Sequence, residues 1–244
     1  MRRLLFPILL LLAVATGARA GVPALLQEAL TAYGREFEHW ACTVTTIVRD
    51  RDGKIDEQTV VRYDPSLPYD EQWTLLTKNG RPATERQVKK HRREMADQRK
   101  DRKTLGELLE LEKAVVAEEN ESTVTYTVPL SPVDNTRLPP ENFGVAIRVN
   151  KRTRGFEAIE VRLLKPMRVA LVAKVKDAGA DLKFSSVDPA HAPIVTAIRA
   201  AGTGSFMFVG LSASYEQART DFKRVTPYSD RFQVKIGPLK VIDF

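Results

Sequence analysis

Residues suited to chemistry are scarce in this sequence. Cys42 is its single cysteine, which excludes an internal disulfide and any paired-cysteine redox or zinc motif. On a β-branched stretch it reads as a small buried hydrophobe. No lysine or arginine adjoins it to favour a thiolate. There are three histidines, His39, His91 and His191, and only His191 has an acid, Asp188, at plausible reach in the sequence. A zinc site needs three or four ligands in suitable spacing, and none shows. HExxH, GxSxG and phosphate-loop patterns are missing too. Ser205, between Gly204 and Phe206, has no flanking pattern that would make it a nucleophile. The expectation is therefore a protein without a metal, a cofactor or a catalytic centre.

Long apolar runs are confined to the first twenty residues. Arg2 and Arg3 precede the apolar run Leu4–Ala15, and Ala18-Arg19-Ala20 forms a small-x-small cleavage site. A run of about a dozen residues falls short of the roughly twenty that span a membrane. The expectation is a signal peptide over 1–20, cleaved after Ala20, and a single domain over 21–244 exported to the periplasm. No cysteine follows the run, so lipid attachment there is excluded. The whole chain carries +7, and removing Arg2, Arg3 and Arg19 leaves +4. Hydrophobic content of 43% argues for a folded chain.

What the sequence does contain is mostly alternation. Pro23–Trp40 has helical spacing, with Leu25, Leu26, Ala29, Leu30, Tyr33 and Phe37 on one broad face. Cys42–Arg49, Thr59–Tyr63 and Gln72–Thr77 read as strands, joined at Asp52-Gly53, broken at Asp64-Pro65-Ser66 and closed by Asn79-Gly80. Thr84–Arg102 is a helix dense in charge, with Thr84 as its cap. Arg81–Lys103 holds ten Lys or Arg against four acids, a net of +6. The rest of the mature chain is therefore about −2 (+4 less +6). Thr104–Glu112 reads as a second short helix.

From Ala114 onward apolar and polar residues alternate, as in Val124, Tyr126 and Val128, or Val145, Ile147 and Val149. Further such runs are Ile159–Leu163, Val169–Val175, Leu182–Phe184 and Phe232–Ile236. Period-two alternation predicts antiparallel strands with one buried face. Asp177–Ala180 reads as a hairpin turn, and Gly202-Thr203-Gly204 as a bulge or corner. The count is about ten or eleven strands with two or three helices. That is too many for a flat open sheet, so the fold class expected is mainly β (α+β), a strongly curved antiparallel sheet.

The order of elements, with RYDPS (Arg62–Ser66), QWTLL (Gln72–Leu76), NGRPAT (Asn79–Thr84) and VDPAHAP (Val187–Pro193), resembles the periplasmic lipoprotein-localisation carriers LolA and LolB. It is also similar to the outer-membrane lipoprotein-sorting-like proteins. The resemblance implies a half-barrel with helices on its concave face, binding acyl chains. It assigns Arg62 as the nearest equivalent of an arginine that holds a lid shut. Trp73, Leu75, Phe206 and Phe208 are candidate cavity residues, each also readable as plain core.

The functional expectation is a non-enzymatic carrier of a hydrophobic or lipid ligand, monomeric, with a lipid or an acylated protein as partner. Lys89, Lys90, Arg92 and Arg93 are candidate residues for docking on an anionic membrane surface or on a protein. Nucleic acid is a poor partner for an exported chain. The alternative is an envelope adaptor or stress-sensor module, as in RseB-like proteins, docking through the basic helix.

Overall fold

The computed structural model describes residues 21–100, 103–132, 139–169, 173–206 and 209–232. The predicted signal peptide, Phe208, and Val234 and Ile236 of the last predicted strand lie outside the described residues. The order of elements is α1 (Ala24–Glu36), β1 (Trp40–Arg49), β2 (Ile55–Tyr63), β3 (Trp73–Lys78), β4 (Arg81–Pro82) and α2 (Glu85–Lys100). Then come α3 (Leu105–Leu108), β5 (Val115–Glu119), β6 (Thr123–Val128), β7 (Phe143–Asn150), β8 (Gly155–Leu163) and β9 (Met167–Val169). Three long strands follow: β10 (Ala173–Ser185), β11 (Ile194–Phe206) and β12 (Val209–Arg224).

The twelve strands among the described residues join one open sheet in the order β4-β3-β2-β1-β12-β11-β10-β8-β7-β6-β5, with β9 beside β10. Every pairing is antiparallel. β1 therefore lies against β12, and the three long strands form the middle of the sheet.

Local chemistry explains the joints. Asn79 and Gly80 both take positive φ, 50° and 73°, as the tight turn between β3 and β4 requires. Thr84 and Gln87 cap α2 reciprocally: the Thr84 amide donates to Gln87 Oε1 at 2.8 Å, and the Gln87 amide to Thr84 Oγ1 at 3.4 Å. α1 is shorter than its spacing predicted. It ends at Glu36, and Trp40 already belongs to β1. The predicted Thr104–Glu112 helix stops after one turn, because Leu109 leaves it to bridge Leu130. Phe232 closes a 3-10 turn, Tyr228–Phe232, instead of opening a strand.

The predicted turn at Asp177–Ala180 is absent; those residues run straight through β10. Asp177 and Gly179 are common in turns, but here Ala178 and Ala180 keep the period-two pattern, and β11 pairs with them throughout. Gly202–Gly204 likewise continues β11. The irregularity nearby belongs to β10, between Val175 and Asp177. Gly204 is the residue that lets it fit, since a Cβ there would lie 2.3 Å from the Lys174 carbonyl oxygen.

Register assigns the faces. Directly paired residues point to the same side, so one face carries Leu75, Val61, Val44, Arg219, Ile198, Leu182, Ile159, Ile147 and Tyr126 across the sheet. Two cores are built on that face. Leu26 and Ala29 of α1 pack with Tyr126, Val128, Val145, Ile147, Phe156, Ile159 and Phe184. Val88 of α2 packs on Cys42, Val44, Val61, Tyr63 and Leu75 at the other end. The two helices thus stand on the same side of the sheet, apart from each other.

Candidate functional site

Between the two cores the same face of the sheet is lined with small residues. Ala178 and Ala180 of β10, Ala200 and Gly202 of β11 and Ala213 of β12 are neighbours through the ladder pairs Ala178↔Gly202, Ala180↔Ala200 and Gly202↔Ala213. They floor a groove of about 380 Å³. Its walls are Phe143 and Val161 on one side, Val48 and Tyr215 on the other. The walls come from β7 and β1, which are five strand steps apart. In a flat sheet that is about 24 Å, so walls meeting around one groove of this size require a curved sheet. A floor of methyl groups and hydrogens leaves volume that larger side chains would fill. The lining has no charged side chain, which suits an apolar guest.

A larger concavity, about 1040 Å³, opens at the opposite end of these strands. Leu30, Tyr33 and Phe37 of α1 form one wall, Arg99 and the 103–106 segment another, and Pro227 to Asp230 the third. Its lining mixes apolar side chains with Arg35, Glu38, His39, Arg99, Lys103 and Asp230. His39 Nε2 lies 3.5 Å from Asp230.

Near that end, but not lining either cavity, is the cluster around His191. His191 Nδ1 lies 3.2 Å from Glu36 and its Nε2 4.0 Å from Asp188, while Arg224 also pairs with Glu36. Trp40 packs edge-on to the His191 ring at 5.7 Å, and the Arg224 guanidinium lies over Trp40 at 5.5 Å. Burial pushes the Glu36 carboxyl up, but the Arg224 hydrogen bond and charge, with His191, more than offset it. The net effect holds Glu36 below its ordinary 4.5. A carboxylate at the C-terminus of α1 opposes the helix dipole; Arg224 neutralises it, and the contacts of Glu36 with Arg224 and His191 tie helix, loop and β12 together.

The sign follows from the direction of that shift. A depressed folded-state pKa contributes stability above 4.5 that is lost as pH falls through the folded value. The thermal midpoint of the natural protein is therefore expected to fall more steeply on acidification below pH 4.5 than that of Glu36→Gln, which starts lower at neutral pH. Parallel acid curves for the two proteins would show that the tie is inert.

The residues singled out from sequence do not converge on one site. Trp73 stacks on Tyr63 at 4.4 Å, and Leu75 is buried beneath α2, so both are absorbed by packing. Arg62 pairs across with Thr43, on the face turned away from the helices. Its Nη1 donates to Thr43 Oγ1 at 3.4 Å and to the Asp221 carbonyl at 3.1 Å. Phe206 ends β11, but its side chain, like Phe208, lies outside the described residues.

On α2, Arg92 turns inward and donates to Thr74 Oγ1 at 3.0 Å. Arg99 sits over the Tyr69 ring at 3.4 Å. Lys89, Lys90 and Arg93 are exposed, and Arg86 completes their stripe at spacings of three and four. Lys90 makes an i,i+4 contact with Glu94, at 3.7 Å. The groove residues were missed. Their only sequence signal is a set of short runs of small residues, 178–180, 200–202 and 212–214.

No protein-family model matches this sequence, and no curated protein is similar to it. Among solved structures, a DUF1329 family protein from Desulfovibrio piger is similar at 12% identity, with a TM-score of 0.35. That match covers 86% of this chain and 96% of the other. A likeness this weak transfers neither fold nor function. Among the described residues no helix is long and apolar enough to cross a membrane, and no group of three or more His, Cys, Asp or Glu could hold a metal ion.

Proposed function

We propose that this chain is a non-enzymatic periplasmic carrier that holds a hydrophobic or lipid ligand on the concave, helix-bearing face of a LolA-like half-barrel. The observation that carries the reading is the groove floored by Ala178, Ala180, Ala200, Gly202 and Ala213. A sheet whose apolar face were wholly covered by its own helices would have no such unfilled strip. An acyl chain laid there gains about 0.8 kcal/mol for each methylene removed from water. The absence of charge from the lining argues for an apolar guest and against a polar metabolite.

Native mass spectrometry of gently purified protein is expected to show lipid-sized adducts, and a fluorescent long-chain probe is expected to bind at one site. Protein that purifies bare and ignores the probe would remove this reading.

The exposed stripe Arg86, Lys89, Lys90 and Arg93 supports a second role for α2, docking on an anionic membrane surface or on a partner protein. Each such cation near an anionic surface contributes roughly 1 kcal/mol. Carrier and docking roles fit together: the groove would hold the guest while the stripe holds the surface.

A further inference from the structure

Next to the groove, β12 carries Tyr215, Gln217 and Arg219 at alternate positions on the helix-bearing face. They form a chain of hydrogen bonds. Gln217 Nε2 donates to Tyr215 Oη at 2.8 Å, and Gln217 Oε1 accepts two long bonds, each 3.4 Å, from Nε and Nη2 of Arg219. Tyr215 is itself a wall of the groove. The chain therefore runs from an apolar cavity to a guanidinium four residues, or about 13 Å, along the strand.

Arg219 shares with Arg62 and Arg92 a half-buried place and neutral partners, but of the three it alone is linked by hydrogen bonds to a wall of the groove. Arg154, Arg162 and Arg224 each pair with a carboxylate. Arg219 is half-buried, lies across from the buried Val44 and acts electrostatically on Cys42. Yet among the described residues no carboxylate comes within salt-bridge distance of it, and its hydrogen bonds go to a neutral amide. A guanidinium has five N–H donors in a fork that matches a carboxylate. Holding such a cation partly out of water without an anion is costly.

We propose that Arg219 is the anchor for the head of an anionic amphiphile, a long-chain carboxylate whose tail lies past Gln217 and Tyr215 in the Ala/Gly-floored groove. The roughly 13 Å between head and groove excludes short acids and selects long chains. Gln217 positions the guanidinium by holding two of its nitrogens, which leaves Nη1 free to meet the head. This assignment rests on the carrier reading above and adds to it the charge of the ligand.

The test compares hexadecanoate with hexadecanol, competing against a neutral fluorescent long-chain probe at neutral pH. The natural protein is expected to prefer the carboxylate by at least tenfold. Arg219→Gln is expected to lose that preference while still binding the alcohol, and Arg219→Lys to keep part of it. Equal binding of acid and alcohol by the natural protein overturns the anchor and leaves the carrier reading standing. Binding of neither ligand overturns both. The natural protein's own preference decides the question even if Arg219→Gln fails to fold. Where that variant folds, retention of the full preference assigns the head to another group and overturns the proposal.

Discussion

Ala200→Trp is expected to weaken binding of a long-chain probe by more than tenfold while leaving the unfolding midpoint nearly unchanged. Ala200 is at the centre of the groove floor, paired across the ladder with Ala180 on one side and Tyr215 on the other. It belongs to neither packed core. An indole at this position projects into unfilled volume, so it displaces the guest without forcing a core side chain aside. Overpacking penalties arise where space is already occupied, and here it is not. Tenfold in affinity corresponds to about 1.4 kcal/mol, less than the contribution of two buried methylenes. Ala201→Trp is the matched control. Ala201 is the next residue along β11, exposed on the opposite face and paired with Gly179 and Ser214. It is expected to bind the probe as the natural protein does. Unchanged binding by Ala200→Trp, measured by fluorescence titration, would show that the groove is not where the ligand sits.

Phe156→Ala is expected to carry the largest loss of stability, about 3–5 kcal/mol. Phe156 is 1% exposed and is the largest fully buried side chain among the described residues. Its ring meets Tyr33 of α1 at 5.9 Å and Phe184 of β10 at 5.2 Å. Tyr33 and Phe184 also touch each other, at 5.5 Å, so the three rings close on themselves. Removing one leaves a cavity that its two partners cannot both collapse into, and it loosens the seat of α1. Domains are stable by only about 5–15 kcal/mol in total, so the variant is expected to unfold at a much lower urea concentration. The slope of the transition should be unchanged, since the same surface is exposed on unfolding. A shift worth less than 1 kcal/mol would mean that the aromatic cluster repacks freely.

Much of the fold is legible in the chain because strand alternation is a local signal. Val124, Tyr126 and Val128 are buried, as are Val145, Ile147 and Val149, and each set falls on one face as its spacing requires. The Asn79-Gly80 turn and the Thr84 cap were also readable, since both depend on residues within three positions of each other. The candidate site was not. Trp73 and Leu75 drew attention by size and apolarity, but large apolar residues are what packing consumes, and α2 covers both. The groove instead consists of residues that sequence reading discounts. Ala178, Gly179 and Ala180 looked like a turn because small residues next to Asp177 commonly make one. His191 had one acid nearby in sequence, Asp188; Glu36 reaches it from 155 residues away, and Arg224 joins the cluster through Glu36.

By itself the sequence determined a mainly β chain, the apolar face of α1, the Asn79-Gly80 turn, and the excess of positive charge on α2. These follow from interactions between residues a few positions apart, which any sequence displays. Only the tertiary structure decided that β1 lies against β12, that the small residues of β10, β11 and β12 stand side by side, and that Arg219 shares their face. Those facts depend on strand order and register, and register is set by long-range pairing: a slip of one residue would turn every side chain of a strand to the other face.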